Sequence, residues 1–105
     1  MNNASAWHNG KPNLNTGAGY GLRIDSSYAP TVFNSRWKTV ELRLSGQTKP
    51  VRVNISLSAK LGSCRELRHR EIGLWLLLNK NHQWPLYQPP RFTVQYVNAN
   101  VFSVT

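Results

Sequence analysis

Two stretches of strict hydrophobic alternation constrain the fold of this chain more than any other feature. KTVELRL, residues 38–44, and VRVNISL, residues 51–57, each carry an apolar side chain at every second position. Because successive side chains of a strand point to opposite faces, each stretch predicts a strand with one buried face. The short loop between them, residues 45–50, predicts that the two strands form an antiparallel hairpin.

Matching the apolar faces of this hairpin leaves two registers open. If Leu44 lies opposite Val51, then Arg43 faces Arg52, and this pair is unfavourable unless an anion lies between the two side chains. If the register slips by two residues, Glu41 faces Arg52 instead. Opposite charges across a strand pair stabilise it by a few tenths of a kcal/mol, so the second register is favoured.

The stretch SCRELRHREIGLWLLLNK, residues 63–80, predicts the one main helix. Ser63 and Glu66 have the spacing of a capping box, which predicts that the helix begins at this point. Leu76 and Leu77 lie outside the main apolar stripe. Their position predicts either burial under a loop or a contact for self-association.

Glu71 falls inside the apolar stripe of this predicted helix. An isolated carboxylate there would be strongly disfavoured, so we interpret Glu71 as a buried anchor paired with Arg68 or with Arg23. Gly73 weakens the helix, and residues 73–79 could instead form a buried strand after a shorter helix. In that arrangement Glu71 would lie at a helix end and would be partly exposed.

The remaining elements are shorter. Residues 19–24 predict a strand, and the segment around Pro30 can hold at most one helical turn. Residues 92–97 and 101–105 predict a second hairpin around an Asn-rich turn. Residues 84–90, WPLYQPP, form a proline-stiffened loop that we interpret as a cover over one end of the core, with a base-stacking platform as the alternative.

These elements predict an α+β fold: a small, strongly bent antiparallel sheet or partial barrel of about five strands, with one main helix between strands 3 and 4. This order of elements resembles that of OB-like barrels, which bind oligonucleotides and oligosaccharides. Residues 1–18 are dominated by Asn, Gly, Ala and Ser, and they predict a flexible amino-terminal arm. Residues 19–105 then form a single globular domain.

No signal peptide is apparent at the amino terminus, and the longest apolar run, residues 74–78, is much shorter than a membrane span. We therefore expect a cytoplasmic protein without a membrane partner.

The charge of the chain points to a polyanionic partner. The 13 Lys and Arg residues against 4 Asp and Glu residues give a net charge of +9. Nine of these cations but only two of the acids lie between residues 36 and 70. A field of one sign raises the local concentration of polyanions, so nucleic acid, either DNA or RNA, is the first partner to consider.

The expected nucleic-acid-binding residues lie on the first hairpin and on the main helix. Positive charge in the first turns of a helix opposes its dipole, so helix stability does not explain these arginines. The six side chains expected to contact phosphates are Lys38, Arg43, Arg52, Arg65, His69 and Arg70.

The alternative is a protein-interaction or accessory domain, in which exposed leucines and the WPLYQPP loop contact an acidic protein partner or a second copy of the chain. Convergence of the hairpin and helix arginines on one face would favour nucleic acid. Dispersal of these arginines would favour the alternative.

Catalysis and metal binding have little support in the sequence. Cys64 is the only cysteine, so no disulfide can form within the chain. Cys64 and His69 would project about 140° apart on one helix and could not act together there. The acidic residues are scattered along the sequence, and the histidines lack the spacing of metal ligands. We therefore expect no enzyme activity, no cofactor and no metal site.

Overall fold

The protein is seen in a computed structural model that describes residues 1–34 and 36–105. Within these residues there are eight strands and three helices, which confirms the α+β class. In chain order they are β1 (Ala4–His8), β2 (Tyr20–Ile24), α1 (Ala29–Val32), β3 (Thr39–Leu44), β4 (Val51–Asn54), α2 (Leu57–Lys60), β5 (Glu66–Arg68), α3 (Arg70–Leu78), β6 (Arg91–Phe92), β7 (Val94–Asn98) and β8 (Val101–Val104).

The first sheet, in the strand order β5-β2-β1-β6, includes the amino-terminal residues of the chain. Ala4 and Ala6 of β1 are buried, and β1 pairs antiparallel with β2 on one side and with β6 on the other. The side-chain amide of Asn3 donates to the Val94 carbonyl at 2.8 Å and accepts from the Val94 N–H at 2.7 Å. These contacts correct the prediction of a flexible arm over residues 1–18. Residues 4–8 of this segment pair through their backbone with two neighbouring strands, which their small side chains did not reveal, and residues 9–18 belong to the loop that leads to β2.

The second sheet, in the strand order β4-β3-β8-β7, contains both predicted hairpins. Strands β3 and β4 pair antiparallel with Glu41 opposite Arg52, which confirms the favoured register. Strands β7 and β8 form the second hairpin. The central pair differs from the prediction of an antiparallel sheet, because β3 and β8 run parallel, with Leu42 beside Phe102.

The two sheets share one hydrophobic core. Only Thr93 separates β6 of the first sheet from β7 of the second, and at the opposite edge β4 packs beside β5. In the part of the chain that the structure describes, no backbone ladder joins β4 to β5. The molecule therefore has two separate four-stranded sheets and is not a closed barrel, and the predicted OB-like partial barrel of about five strands is not confirmed.

The main helix is shorter than predicted, because its expected first turns form a strand. Leu67 is buried while Glu66 and Arg68 on either side are not, and this alternation fits β5, which pairs with β2. Helix α3 begins at Arg70, and the His69 side chain accepts a hydrogen bond from the Glu71 N–H as the N-cap. The predicted capping box is therefore wrong. Residues after Gly73 remain helical to Leu78, so the alternative of a second buried strand is wrong as well.

Gly73 is required by a close approach between α3 and the loop that joins β1 to β2. A Cβ added at Gly73 would collide with the backbone of Gly17, and a Cβ at Gly17 would collide with the backbone of α3. Gly17 also has a positive φ of +78°, which favours glycine. The cost of a glycine inside a helix is offset here by contact between two backbones.

The face of α3 that enters the core also differs from the prediction. Leu76 is fully buried and Leu77 is partly buried against the core, whereas Leu74 and Leu78 are exposed. Because the helix begins at Arg70 rather than Ser63, its orientation is set by the contact at Gly73 and not by a stripe running from Cys64. The leucines available to a partner are therefore different from those expected.

The structures of two shorter segments agree in part with the predictions made from the sequence. Pro30 lies in the first turn of α1, a single helical turn as predicted. In the proline-rich loop only Trp84 packs against the core, and its ring lies 4.8 Å from that of His8. Leu86 and Tyr87 are 77% and 90% exposed, so most of this loop does not act as a cover.

Candidate nucleic-acid interface

Four cations on the β3–β4 hairpin are exposed to solvent. We call Lys38, Arg43, Lys49 and Arg52 the hairpin cations. Arg43 and Arg52 project outward because the residues flanking each of them in β3 and β4 are buried. Among the residues that the structure describes, none of the four forms an ion pair. Their charge is therefore available to an external anion.

The hairpin register places these cations near few acidic groups. Arg52 lies across from Glu41, the one acid of the hairpin, and Arg43 lies beside Ser103 of β8. A neutral hydroxyl side chain next to Arg43 neither attracts nor repels its guanidinium group strongly. Arg43 and Arg52 therefore give the outward side of β3 and β4 two positive charges against the one negative charge of Glu41.

The other three predicted residues lie on or next to the first sheet. Arg65 is half-buried, and its guanidinium donates to the Ile24 carbonyl at 3.1 Å. The Nδ1 atom of His69 accepts from the Glu71 N–H at 3.0 Å. Arg70 is 71% exposed, and its Nε atom lies 4.0 Å from a Glu71 carboxylate oxygen. Two of these three side chains are thus held by bonds within the molecule.

The six predicted residues therefore fall into two groups on different parts of the fold. Lys38, Arg43 and Arg52 belong to the hairpin of the second sheet, and the other three surround β5 and the start of α3. The structure does not bring all six onto one strand pair or one helix. The structure adds Lys49 in the hairpin loop, a residue that the sequence pattern did not select because it lies outside the alternating stretches.

The carboxylate with the most internal partners is Glu66, not Glu71. Its side chain is 13% exposed, and it accepts from the Arg65 N–H at 3.1 Å. The Nε atom of Arg23 lies 3.3 Å away and the Nη2 atom of Arg68 lies 3.9 Å away. The side chain of Glu71, by contrast, is 50% exposed, so its predicted role as a buried anchor is wrong. The buried carboxylate is predicted at the wrong position because the sequence pattern includes β5 in the helix.

A second internal ion pair joins distant parts of the chain. Arg91 of β6 donates to both carboxylate oxygens of Asp25, at 2.9 Å and 2.6 Å. This hydrogen bonding, with the positive charges of Arg91 and Arg65, lowers the pKa of Asp25, while burial opposes the shift. The same contact raises the pKa of Arg91. We call Arg23, Arg68 and Arg91 the paired arginines.

Trp7 lies on the outward side of the first sheet together with Arg68. The guanidinium carbon of Arg68 is 5.2 Å from the Trp7 ring centroid, in the range of a cation–π contact. Gly21 lies between the two residues in the sheet register. Because Gly21 has no side chain, Arg68 reaches across β2 to the ring. The sequence did not suggest this contact, since Trp7 belonged to the predicted arm.

In the described part of the chain, no group of three or more His, Cys, Asp and Glu side chains is arranged to hold a metal ion. None of the described helices is long and apolar enough to cross a membrane. Cys64 is a free thiol with its Sγ atom 3.8 Å from a Glu66 oxygen.

Comparisons with known proteins give no family for this chain. No protein-family model matches its sequence, and neither the curated proteins nor the solved structures include a match.

Proposed function

We propose that this chain binds nucleic acid, with the hairpin cations contacting phosphates. The observation that carries the proposal is the group of four exposed cations on one hairpin that form no ion pair among the described residues. Three of the four acids in the chain contact arginines elsewhere, which leaves the hairpin with Glu41 as its only acid. A surface of this kind attracts a polyanion over several ångströms of solution.

The dispersal of the six predicted residues over two parts of the fold counts in favour of a protein partner, so the nucleic-acid proposal relies on the hairpin cations and not on the helix group. The side chains of Arg65 and His69 are each held in place by an internal hydrogen bond, whereas no such bond restricts the hairpin cations among the described residues. Arg70 is exposed enough to add a contact. Side chains on a strand pair can follow a nucleic-acid backbone without reading bases, so the proposal covers DNA and RNA in single- or double-stranded form.

The proposal predicts a strong dependence of affinity on salt. About four phosphate contacts give a slope of about −3 to −4 when log affinity is plotted against log salt concentration. Replacing Arg43 and Arg52 together by glutamine should make the slope shallower by about 1 to 2 units. Fluorescence anisotropy with single- and double-stranded DNA and RNA over a salt series measures both quantities.

The matched control is the double variant Lys11→Gln and Lys80→Gln. It removes two charges from exposed positions outside the hairpin, so it keeps the same net charge as the hairpin variant. If the slope becomes shallower by the same amount in both variants, nucleic-acid affinity depends on total charge and not on the position of the cations. Absence of binding to all four nucleic acids at low salt would contradict the proposal.

A second candidate function, protein interaction, is favoured by the exposed leucines of α3. Leu74 and Leu78 line a groove of about 610 Å³ between α3 and the hairpin loop, and Leu78 is 72% exposed. Lys49 at the same groove could attract an acidic protein partner. Sedimentation equilibrium tests self-association: a dimer that the substitution Leu78→Ser dissociates would support this function, whereas a monomer at all concentrations would exclude self-association.

A further inference from the structure

A cleft of about 520 Å³ opens between α1 and α2, and no residue of β3 or β4 lines it. Ala29, Pro30 and Phe33 form one wall, and Ala59 and Leu61 contribute to the other. Phe33 is 6% exposed and belongs to the core, so the deep part of the cleft is built on packed residues. The volume lies within the range of small-molecule sites.

The charge of this cleft distinguishes it from two further clefts of the described residues, one beside α3 and one between β4 and β5. Lys60 and Arg65 line it, and no carboxylate does. The groove beside α3 contains Glu71, and the cleft between β4 and β5 contains Glu66. The position of Arg65 is fixed by its bond to the Ile24 carbonyl. This is therefore the cleft whose charged lining selects for an anion.

The apolar part of the walls favours an apolar body for the rest of the ligand, and a base is such a body. Pro30, Phe33 and Leu61 offer apolar surface, and Leu61 is 74% exposed beside the opening. Asn34 also lines the cleft. Its Oδ1 atom accepts from the Arg36 N–H at 2.9 Å, which leaves the Nδ2 hydrogens to donate to a ligand. An anionic head, an apolar planar body and a hydrogen-bonding edge are the properties of a nucleotide.

We propose that this cleft binds a nucleoside 5′-monophosphate, with the phosphate on Lys60 and Arg65 and the base against Pro30 and Leu61. Asn34 donates to the edge of the base. The ligand is either a free nucleotide or the phosphorylated 5′ end of a strand, since both present the same chemistry. The cleft is separate from the hairpin cations, so its occupancy does not depend on the function proposed above.

The test titrates the intact chain with each of the four common ribonucleoside 5′-monophosphates, by calorimetry and by amide NMR spectra. At least one nucleotide should bind and shift the amide signals of Ala29, Asn34 and Gly62. Inorganic phosphate and the corresponding nucleoside should each bind at least about tenfold more weakly, because each provides only half of the contacts. An oligonucleotide with a 5′ phosphate, compared with one lacking it, distinguishes a strand end from a free nucleotide.

Two substitutions test the charge of the cleft and the shape of the cleft separately. Lys60→Gln should weaken nucleotide binding about fivefold or more, and Lys80→Gln, the matched control outside the cleft, should not. Ala29→Leu should block the cleft without changing its charge. If that variant fails to fold, Lys60→Gln and the shifts in the parent protein still decide the result.

Absence of binding, shifts confined to β3 and β4, equal affinity for nucleoside and nucleotide, or an unchanged affinity in Lys60→Gln would each overturn the proposal. Failure of the hairpin proposal is seen separately, because the variant lacking Arg43 and Arg52 should bind nucleotide as the parent does.

Discussion

The outward sides of the two sheets both carry arginines, but the two sheets use them differently. On the first sheet the paired arginines contact carboxylates, and Arg68 also covers the ring of Trp7. On the second sheet the hairpin cations form no ion pair with any described residue. Charge on the first sheet is thus used to hold strands and loops together, whereas charge on the second is open to solvent and to a partner.

This difference shows that net charge alone is a poor guide to a binding surface. The paired arginines and the hairpin cations count equally in the total of +9. A paired arginine must give up a carboxylate before it can bind a phosphate, and that exchange reduces its contribution to affinity. Substitutions on the first sheet should therefore affect stability, and substitutions on the hairpin should affect binding.

The largest effect is expected at Glu66. Glu66→Ala should lower the free energy of unfolding by about 1 to 2 kcal/mol, because the Arg65 N–H loses its acceptor and two arginines lose their carboxylate. Glu41→Ala on the hairpin and Glu71→Ala on α3 are the controls, and each should stay within about 0.5 kcal/mol of the parent. Urea unfolding measures all three. Equal losses of unfolding free energy in Glu66→Ala and Glu41→Ala would show that charged groups on the two sheets contribute equally to stability.

A smaller effect is expected from a matched pair of arginine substitutions. Arg68→Gln should cost about 0.5 to 1 kcal/mol of stability, since it removes an ion pair and the contact with Trp7, and it should leave the salt slope of nucleic-acid binding nearly unchanged. Arg52→Gln should do the reverse: it should make the slope shallower by about 1 unit, with little change in stability. If Arg68→Gln reduced the slope as much as Arg52→Gln, the first sheet would have to be included in the interface.

The smallest effect is expected at Asp25. Because its pKa is lowered in the folded protein, principally by the hydrogen bond from Arg91, its ionised form stabilises the fold above the unfolded pKa of about 4. That contribution is lost as the pH falls through the lowered value. Both side chains are more than a third exposed, so Asp25→Asn should cost only about 0.5 kcal/mol at pH 7.

The pH dependence provides the internal control for this variant. Thermal melts of parent and Asp25→Asn should differ at pH 7, and the difference should shrink as the pH falls below the unfolded pKa and the parent carboxylate becomes protonated. A difference that does not change with pH would show that the substitution acts through packing and not through charge.

Both hairpins and the register of the first could be predicted because their signals are local. Alternation sets the buried face of β3 and β4, and the charges of Glu41 and Arg52 set the pairing. The same alternation predicted that Arg43 and Arg52 would be exposed. This is why half of the predicted site residues lie together on the hairpin.

The errors arose where distant residues determine the local structure. The three residues of β5 form a strand because β2 pairs with them, and no property of that short stretch excludes a helix. A helix that includes β5 places Glu71 where the structure has Glu66 as the paired carboxylate, and it places the buried Leu76 outside the apolar stripe. Likewise, β1 has few large apolar residues, and its order depends on β6, which is more than eighty residues away in sequence.

The pairing of β3 with β8 has a consequence for how the chain reaches this structure. These strands join residues 41–44 to residues 101–104, and β1 likewise requires β6 near the other end of the described chain. Neither sheet can be completed until residues 91–104 are available, so a nascent chain would remain incompletely folded until those residues have been synthesised. Contacts between residues this far apart in sequence form slowly, so the topology alone predicts refolding on a scale of about milliseconds to seconds. Until β8 arrives, the edge of β3 that faces away from β4 lacks its final neighbour, and that interval is when the molecule is most exposed to aggregation.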